Sequence, residues 1–363
     1  MIYQKERRLN YMKVLSVVGA RPQFVKEAAV QHEIRKHEHI EEILVHTGQH
    51  YDANMSDVFF NVLEITPPKY NLGISSKLHG EMTGKMMIEL EKVMLLEKPD
   101  KVLLYGDTNS TLAAAITASK LKIEVAHVEA GLRQKRPRHM VEETNRVLTD
   151  NISDYLFCPS TRSIKNLETE GIKQGVYLTG DVMYDIFLKM KLDFNYNKIY
   201  DLNLTEDDYI VMTLHRDFNV DDKTKLEEIL FETNRIAKEI PVVYPIHPRT
   251  KKRINDFGLM DIAKNILFIE PVDYLQLMGL TERCFKVITD SGGYQKESYF
   301  AGKQATVLMP ETGWIELIEE EVNYLAEPSN LYEITMQKTS ANIIPGIYGQ
   351  GNASELIVKT LNK

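Results

Sequence analysis

Only two cysteines, Cys158 and Cys284, occur in 363 residues, far apart and each among apolar neighbours. That spacing suggests neither a zinc site nor a disulfide framework, and it fits a reducing compartment, the cytoplasm. No segment reaches the roughly 18 consecutive apolar residues of a membrane span, so no membrane association is expected. The basic opening MIYQKERRLNY leads only into a short apolar run, 14–18, that ends at Gly19 and reads as a strand rather than a signal peptide. Residues 1–11 read as a loose tail, with Met12 a candidate start. Positive charge is not in excess either: 44 Lys and Arg against 52 Asp and Glu leave a formal net charge of -8. That balance argues against a nucleic-acid partner. The GxGxxG fingerprint is missing from the strand–helix junctions, so a nicotinamide cofactor has little support. No cofactor and no metal are expected.

What is present is an alternation of short apolar runs with longer amphipathic stretches. Strands are expected at 13–18, 43–46, 102–105, 124–128, 155–158 and 176–179, then at 209–213, 242–245, 266–269, 287–289, 305–308 and 324–326. Helices are expected at 22–37, 80–96, 108–121, 222–240 and 295–301. Near-continuous apolar strands separated by helices are the pattern of parallel sheets covered on both faces. Ordinary composition and a length beyond one core point to two domains. The rhythm pauses at 185–208, which sets the boundary: residues 12–185 form one Rossmann-like domain, and 186–351 a second, nucleotide-binding one. The last helix, 352–363, can complete either. The expected fold is therefore α/β, two doubly wound parallel-sheet domains facing across a cleft.

In such sheets ligands meet the carboxyl ends of the strands. After the first strand, Arg21 and Lys26 flank a helix start with Pro22 in its first turn, a place that favours anions; surface cations on a capped helix are the alternative. After the second comes His46-Thr47-Gly48-Gln49-His50, either a ligand loop or a solvated turn. Asp107 ends the third strand, as an acid or as the cap of the next helix. Glu129 ends the fourth between apolar residues and a Gly, where a carboxylate is costly unless paired. The two acids emerge on neighbouring strand ends, within reach of acid–base work. Glu142 and Arg146 lie four apart on a helix, the spacing of an ion pair. In the second half, His215 follows a strand, as do His247 and Arg249. Ser291-Gly292-Gly293 opens a helix with backbone N–H groups free for a diphosphate, and Glu297 sits a turn further on.

Eight motifs then occur in order: GARPQFVK, HTGQHYD, GDTNSTLA, HVEAGLR, EETNRVLTD, TLHRDFN, HPRT and TDSGGYQKES. Together they resemble the non-hydrolysing UDP-N-acetylglucosamine 2-epimerases, from Met12 onward. The resemblance implies a GT-B-like pair of domains, a homodimer, a UDP-sugar substrate, and C2 epimerisation by elimination and re-addition of UDP through 2-acetamidoglucal. It puts the catalytic groups on Asp107, Glu129, Glu142 and His215. Substrate-binding groups fall on Arg21, Lys26, Arg146, Ser291, Gly292, Gly293 and Glu297, and second-site ligands on Gln49, His50 and His247.

The chain departs from the family pattern after the 305–308 strand. Met309 stands where an Arg is usual and Gly313 where an acid is. Val141 stands where Pro commonly precedes the acid pair, and Gln23 replaces the commoner Glu. These departures keep two alternatives open: another UDP-2-acetamido sugar as substrate, or a catalytically impaired nucleotide-sugar-binding homologue. A GT-B glycosyltransferase would not need the Asp107 and Glu129 pair.

Overall fold

The structure, a computed structural model, describes residues 11–49, 64–134, 140–337 and 346–363. Residues 1–10 of the expected tail, His50 and the Arg21 side chain lie outside the described parts. The chain separates into two compact units, Met1–Ile186 with Gly346–Lys363, and Phe187–Pro345.

The first unit carries β1 (Met12–Val18), β2 (Ile40–His46), β3 (Tyr70–Asn71), β4 (Lys101–Tyr105), β5 (Glu124–Val128), β6 (Tyr155–Cys158) and β7 (Val176–Leu178). They pair in parallel in the order β3-β2-β1-β4-β5-β6-β7. The second carries β8 (Ile210–Thr213), β9 (Val242–Pro245), β10 (Leu267–Ile269), β11 (Lys286–Thr289), β12 (Ala305–Val307) and β13 (Tyr324–Leu325). Its order, β10-β9-β8-β11-β12-β13, is parallel throughout. Two Rossmann-like domains result. Every strand expected from the sequence forms, with ends shifted by a few residues. β3 was not anticipated: it is a two-residue edge strand behind Pro67-Pro68, too short to show a period.

Each sheet reverses its winding once, between β1 and β4 and between β8 and β11. Loops leaving those strands diverge to opposite faces and leave a crevice at the carboxyl edge, the usual ligand position. The strands there are buried almost end to end, as a sheet covered on both faces requires. The core of the first unit joins Leu15, Val17, Val45, Leu90 and Leu104; that of the second joins Ile210, Met212, Leu230, Tyr244 and Ile288.

The closing helix Ala353–Leu361 is bound into the first unit. Asp185 accepts from Ala353 N at 3.1 Å and from Ser354 N at 2.7 Å, capping the helix start. Among the described residues no helix is long and apolar enough to cross a membrane.

One core position carries a cost. Glu27, on helix Arg21–Ile34, is fully buried facing Glu42 of β2, Tyr105 of β4 and Ser16 of β1. Burial first, and Glu42's charge second, push its carboxyl well above the carboxylate range. The folded state therefore holds a proton that the unfolded chain releases above about pH 4.5. Stability from this group is full below that pH and is lost as pH rises through the folded-state value. Glu27→Gln removes this slope: denaturant midpoints at about pH 5.5 and about pH 8.5 should differ less than in the wild type. An unchanged difference would show that Glu27 is not the group responsible.

Candidate active site

The first crevice is built from three loops. Gly19 leaves β1 against Ser110 and Thr47; a Cβ there would stand 2.0 Å from Ser110 Oγ. Only glycine allows that approach. The helix Arg21–Ile34 then starts with Pro22 in its first turn, as expected. Its start is capped from within: Gln23 Oε1 accepts from Gly19 N at 2.7 Å and Ala20 N at 3.1 Å. Gln23 Nε2 donates to the Tyr105 carbonyl and, at 3.0 Å, to Thr111 Oγ1, so this amide ties β1's loop to β4's. A Glu here could not make the second set of bonds.

β4 and β5 run in register, Tyr105 opposite Val128, so Asp107 and Glu129 leave neighbouring strand ends. Each carboxylate is latched to a cation. Lys26 Nζ binds Glu129, both side chains being largely buried. Arg146 binds Asp107 through Nη2 and Glu143 through Nη1, the latter at 2.9 Å. Burial alone would push the Arg146 guanidinium down, but the charges of Asp107, Glu143 and Glu129 hold it above its ordinary value. The two pairs are thus one cluster. Gly106, at φ +62°, lies against it: a Cβ there would come 3.3 Å from Glu129 Oε2 and 3.4 Å from Lys26 Nζ.

Glu129 itself sits at φ +72°, in the left-handed region that costs a residue with a Cβ about 1 kcal/mol or more. The turn is held by Glu129 N and Ala130 N, both donating to the Phe157 carbonyl at 3.1 Å. Gly131 N donates to Asp150 Oδ2, also at 3.1 Å.

Three local expectations are corrected. Asp107 does not cap the helix Asn109–Lys120; Thr108 does, accepting from Thr111 N. Arg146 pairs with Glu143 and Asp107 rather than with Glu142, which is exposed in the first turn of helix Val141–Ile152. Lys26 meets Glu129 instead of standing free at the helix start.

The second crevice lies between β8 and β11, where Thr213 and Thr289 join hydroxyls at 2.6 Å. Its centre is Asp290, fully buried and absent from the sequence-derived site set. Asp290 accepts from His215 N at 3.0 Å, Arg216 N at 2.8 Å and Asn219 Nδ2 at 3.1 Å. Its Oδ1 stands 3.3 Å from His215 Nδ1. Burial first pushes the His215 imidazole below its ordinary value, and the Arg216 and His247 charges add to this against the pull of Asp290. The ring is neutral near pH 7 and able to take a proton.

Ser291 caps helix Gly292–Phe300, accepting from Tyr294 N at 3.4 Å. The Gly293 surface is open, and Arg216 Nη2 stands 4.0 Å from where a Gly292 Cβ would be. A cation therefore faces this helix start. Tyr274 is pushed far up by burial and then by the charge and hydrogen bond of Glu297, which fixes that carboxylate from behind. Met309, in place of the usual Arg, packs its sulfur 3.3 Å from Gln295 Nε2, and Thr312 donates to Gln295 Oε1 at 2.8 Å. Trp314 Nε1 donates to the Gly292 carbonyl at 2.9 Å, and Lys296 lies over its ring.

The remaining expected ligands make internal bonds. Gln49 Oε1 accepts from Ser110 N at 3.0 Å and Oγ at 2.8 Å. His247 caps helix Pro248–Asp256.

Each Rossmann-like unit thus carries an enzyme-like site at its own switch point: an acid cluster in the first, and in the second an anion-ready helix start beside an imidazole. A sequence profile of UDP-N-acetylglucosamine 2-epimerase matches residues 32–362. A Methanococcus maripaludis protein described as a UDP-N-acetylglucosamine 2-epimerase homolog is 44% identical, covering 96% of this chain and 99% of its own. The UDP-2,3-diacetamido-2,3-dideoxy-D-glucuronate 2-epimerase of Pseudomonas aeruginosa is 43% identical over 97% of this chain and 100% of its own. The crystal structure of Methanocaldococcus jannaschii UDP-GlcNAc 2-epimerase in complex with UDP-GlcNAc and UDP matches with a TM-score of 0.83 at 41% identity, covering 96% and 99% of the two chains. The chain belongs to the UDP-N-acetylglucosamine 2-epimerase family and is an isomerase.

Proposed function

We propose that this protein reversibly converts UDP-N-acetylglucosamine to UDP-N-acetylmannosamine in the cytoplasm. The observation that carries the reading is the pair of strand-end carboxylates, Asp107 and Glu129, each latched to its own cation. Carboxylates at neighbouring strand ends are placed for acid–base work on a bound substrate. The similarity to a relative solved with UDP-GlcNAc and UDP supports the substrate class.

In the reaction the C2–H bond breaks and its proton passes to a base among Glu129, Asp107 and Glu142. The electron pair forms C1=C2, and the C1–O bond breaks with its pair leaving on the β-phosphate of UDP. 2-Acetamidoglucal remains bound. In the return step the phosphate oxygen attacks C1, and C2 takes a proton on the opposite face. These proton transfers are assigned to the carboxylates and His215, with Lys26 and Arg146 as the ion-pair partners of Glu129 and Asp107. The start of helix Gly292–Phe300, at Ser291, Gly292 and Gly293, is assigned to the diphosphate, with Arg216 as its cation; Arg21 is kept as a further substrate-binding cation. Glu297, braced by Tyr274, accepts from the ribose hydroxyls.

A second reading, a C2 epimerase of a diacetamido or uronic-acid UDP-sugar, draws on Met309 and on the Pseudomonas aeruginosa relative. Separate incubations with UDP-N-acetylglucosamine and with UDP-2,3-diacetamido-2,3-dideoxyglucuronate decide between them. UDP-N-acetylmannosamine is expected from the first; turnover of the second alone would overturn the assignment.

The protein is further read as a homodimer. Ile88, Leu95 and Leu96 on helix His79–Glu97 and Leu148 on helix Val141–Ile152 are exposed in the single chain and offer apolar surface for it. Light scattering should give about twice the 41.8 kDa of one chain; a single-chain mass would contradict this.

A further inference from the structure

A buried charge network lies beneath the acid cluster, and the reaction as written does not use it. His127, on β5 and wholly buried, lies with Nδ1 2.7 Å from Asp150 Oδ1 and Nε2 2.7 Å from the Gly106 carbonyl. A carbonyl only accepts. Burial pushes the Asp150 carboxyl up, but the His127 hydrogen bond and the charges of His127 and Arg133 bring it below the usual range. The two ring nitrogens thus bridge the Asp150 carboxylate and the Gly106 carbonyl, one hydrogen-bonding contact to each.

What this ring touches gives it a role. The Gly106 carbonyl belongs to the turn that presents Asp107. Asp150 accepts from Gly131 N, closing the left-handed turn at Glu129, and from Arg133 Nη1 at 2.7 Å. Arg133 is in turn held by Glu170 at 2.7 Å. One ring and one carboxylate thus join the two turns that carry the acid–base pair. We propose that His127 is a positioning residue for the epimerisation, its ring bridging Asp150 and the Gly106 carbonyl so that the Asp107 and Glu129 turns stay in register. The inference rests on the functional reading above.

Two substitutions separate its two bonds. Asn in place of His127 keeps a donor at the Nδ1 position, toward Asp150, and loses the bond to Gly106; Gln keeps reach at the Nε2 position and loses the other. His127→Asn should lower kcat about 100-fold, the scale of a 1 Å misplacement. KM should stay within about threefold and UDP affinity unchanged, because the proposed nucleotide ligands are left in place. His127→Gln should recover about tenfold of that loss. Wild-type kcat in the Asn variant would overturn the proposal. Equal losses of kcat, UDP affinity and thermal stability in both variants would do so too, as a purely structural role predicts. A wild type inactive on every UDP-2-acetamido sugar would instead remove the functional reading, and this inference with it.

Discussion

Glu129→Gln is expected to lower kcat on UDP-N-acetylglucosamine by about 1,000-fold, within the range that a positioned acid or base contributes. The amide keeps the shape and still offers Lys26 an oxygen, but it takes no proton from carbon. UDP should bind as in the wild type, because the residues proposed for the diphosphate lie on other elements. The thermal midpoint should fall modestly, since Lys26 loses a charged partner in a largely buried pair. A variant that turns over within about threefold of wild type would remove Glu129 from the acid–base set.

Asp290→Ala should be the most destabilising change in the second unit. It strips the acceptor from His215 N, Arg216 N and Asn219 Nδ2 at once, leaving donors in a site where Asp290 itself is fully buried. Removing one partner of such a network costs about 3–5 kcal/mol. The same change frees the His215 ring, so kcat should fall about 100-fold beyond any loss of folded protein. Asp290→Asn keeps one acceptor oxygen and should lie between. Urea midpoints and kcat per folded molecule measure both effects. A midpoint shift worth less than about 1 kcal/mol in the Ala variant would show that the backbone turn does not depend on Asp290.

Much of the fold is visible in the sequence because buried parallel strands must be apolar nearly end to end. Runs such as Val102-Leu103-Leu104 leave little other choice. β3 escapes because a two-residue edge strand needs no such run. The strand-end carboxylates could be named in advance since an acid after an apolar strand is conspicuous. Their partners could not. The helix-spacing rule joins Arg146 to Glu142, whereas the structure gives it Glu143 and Asp107. A contact from another strand end outweighs a neighbour on an exposed face. Asp107 likewise looks like a cap until Thr108 is seen to fill that place. The supporting contacts, His127 with Asp150 and His215 with Asp290, pair residues 23 and 75 positions apart. No local pattern announces such pairs; a His or Asp inside an otherwise apolar stretch is the only trace they leave.

The account rests on removal of the C2 proton at the carboxylate cluster. Proton NMR of the protein with UDP-N-acetylglucosamine in D2O tests that step. The predicted result is UDP-N-acetylmannosamine carrying deuterium at C2, with deuterium entering the recovered substrate as the reaction reverses. Product that keeps its C2 proton, or UDP bound with no exchange into any UDP-2-acetamido sugar, would contradict it.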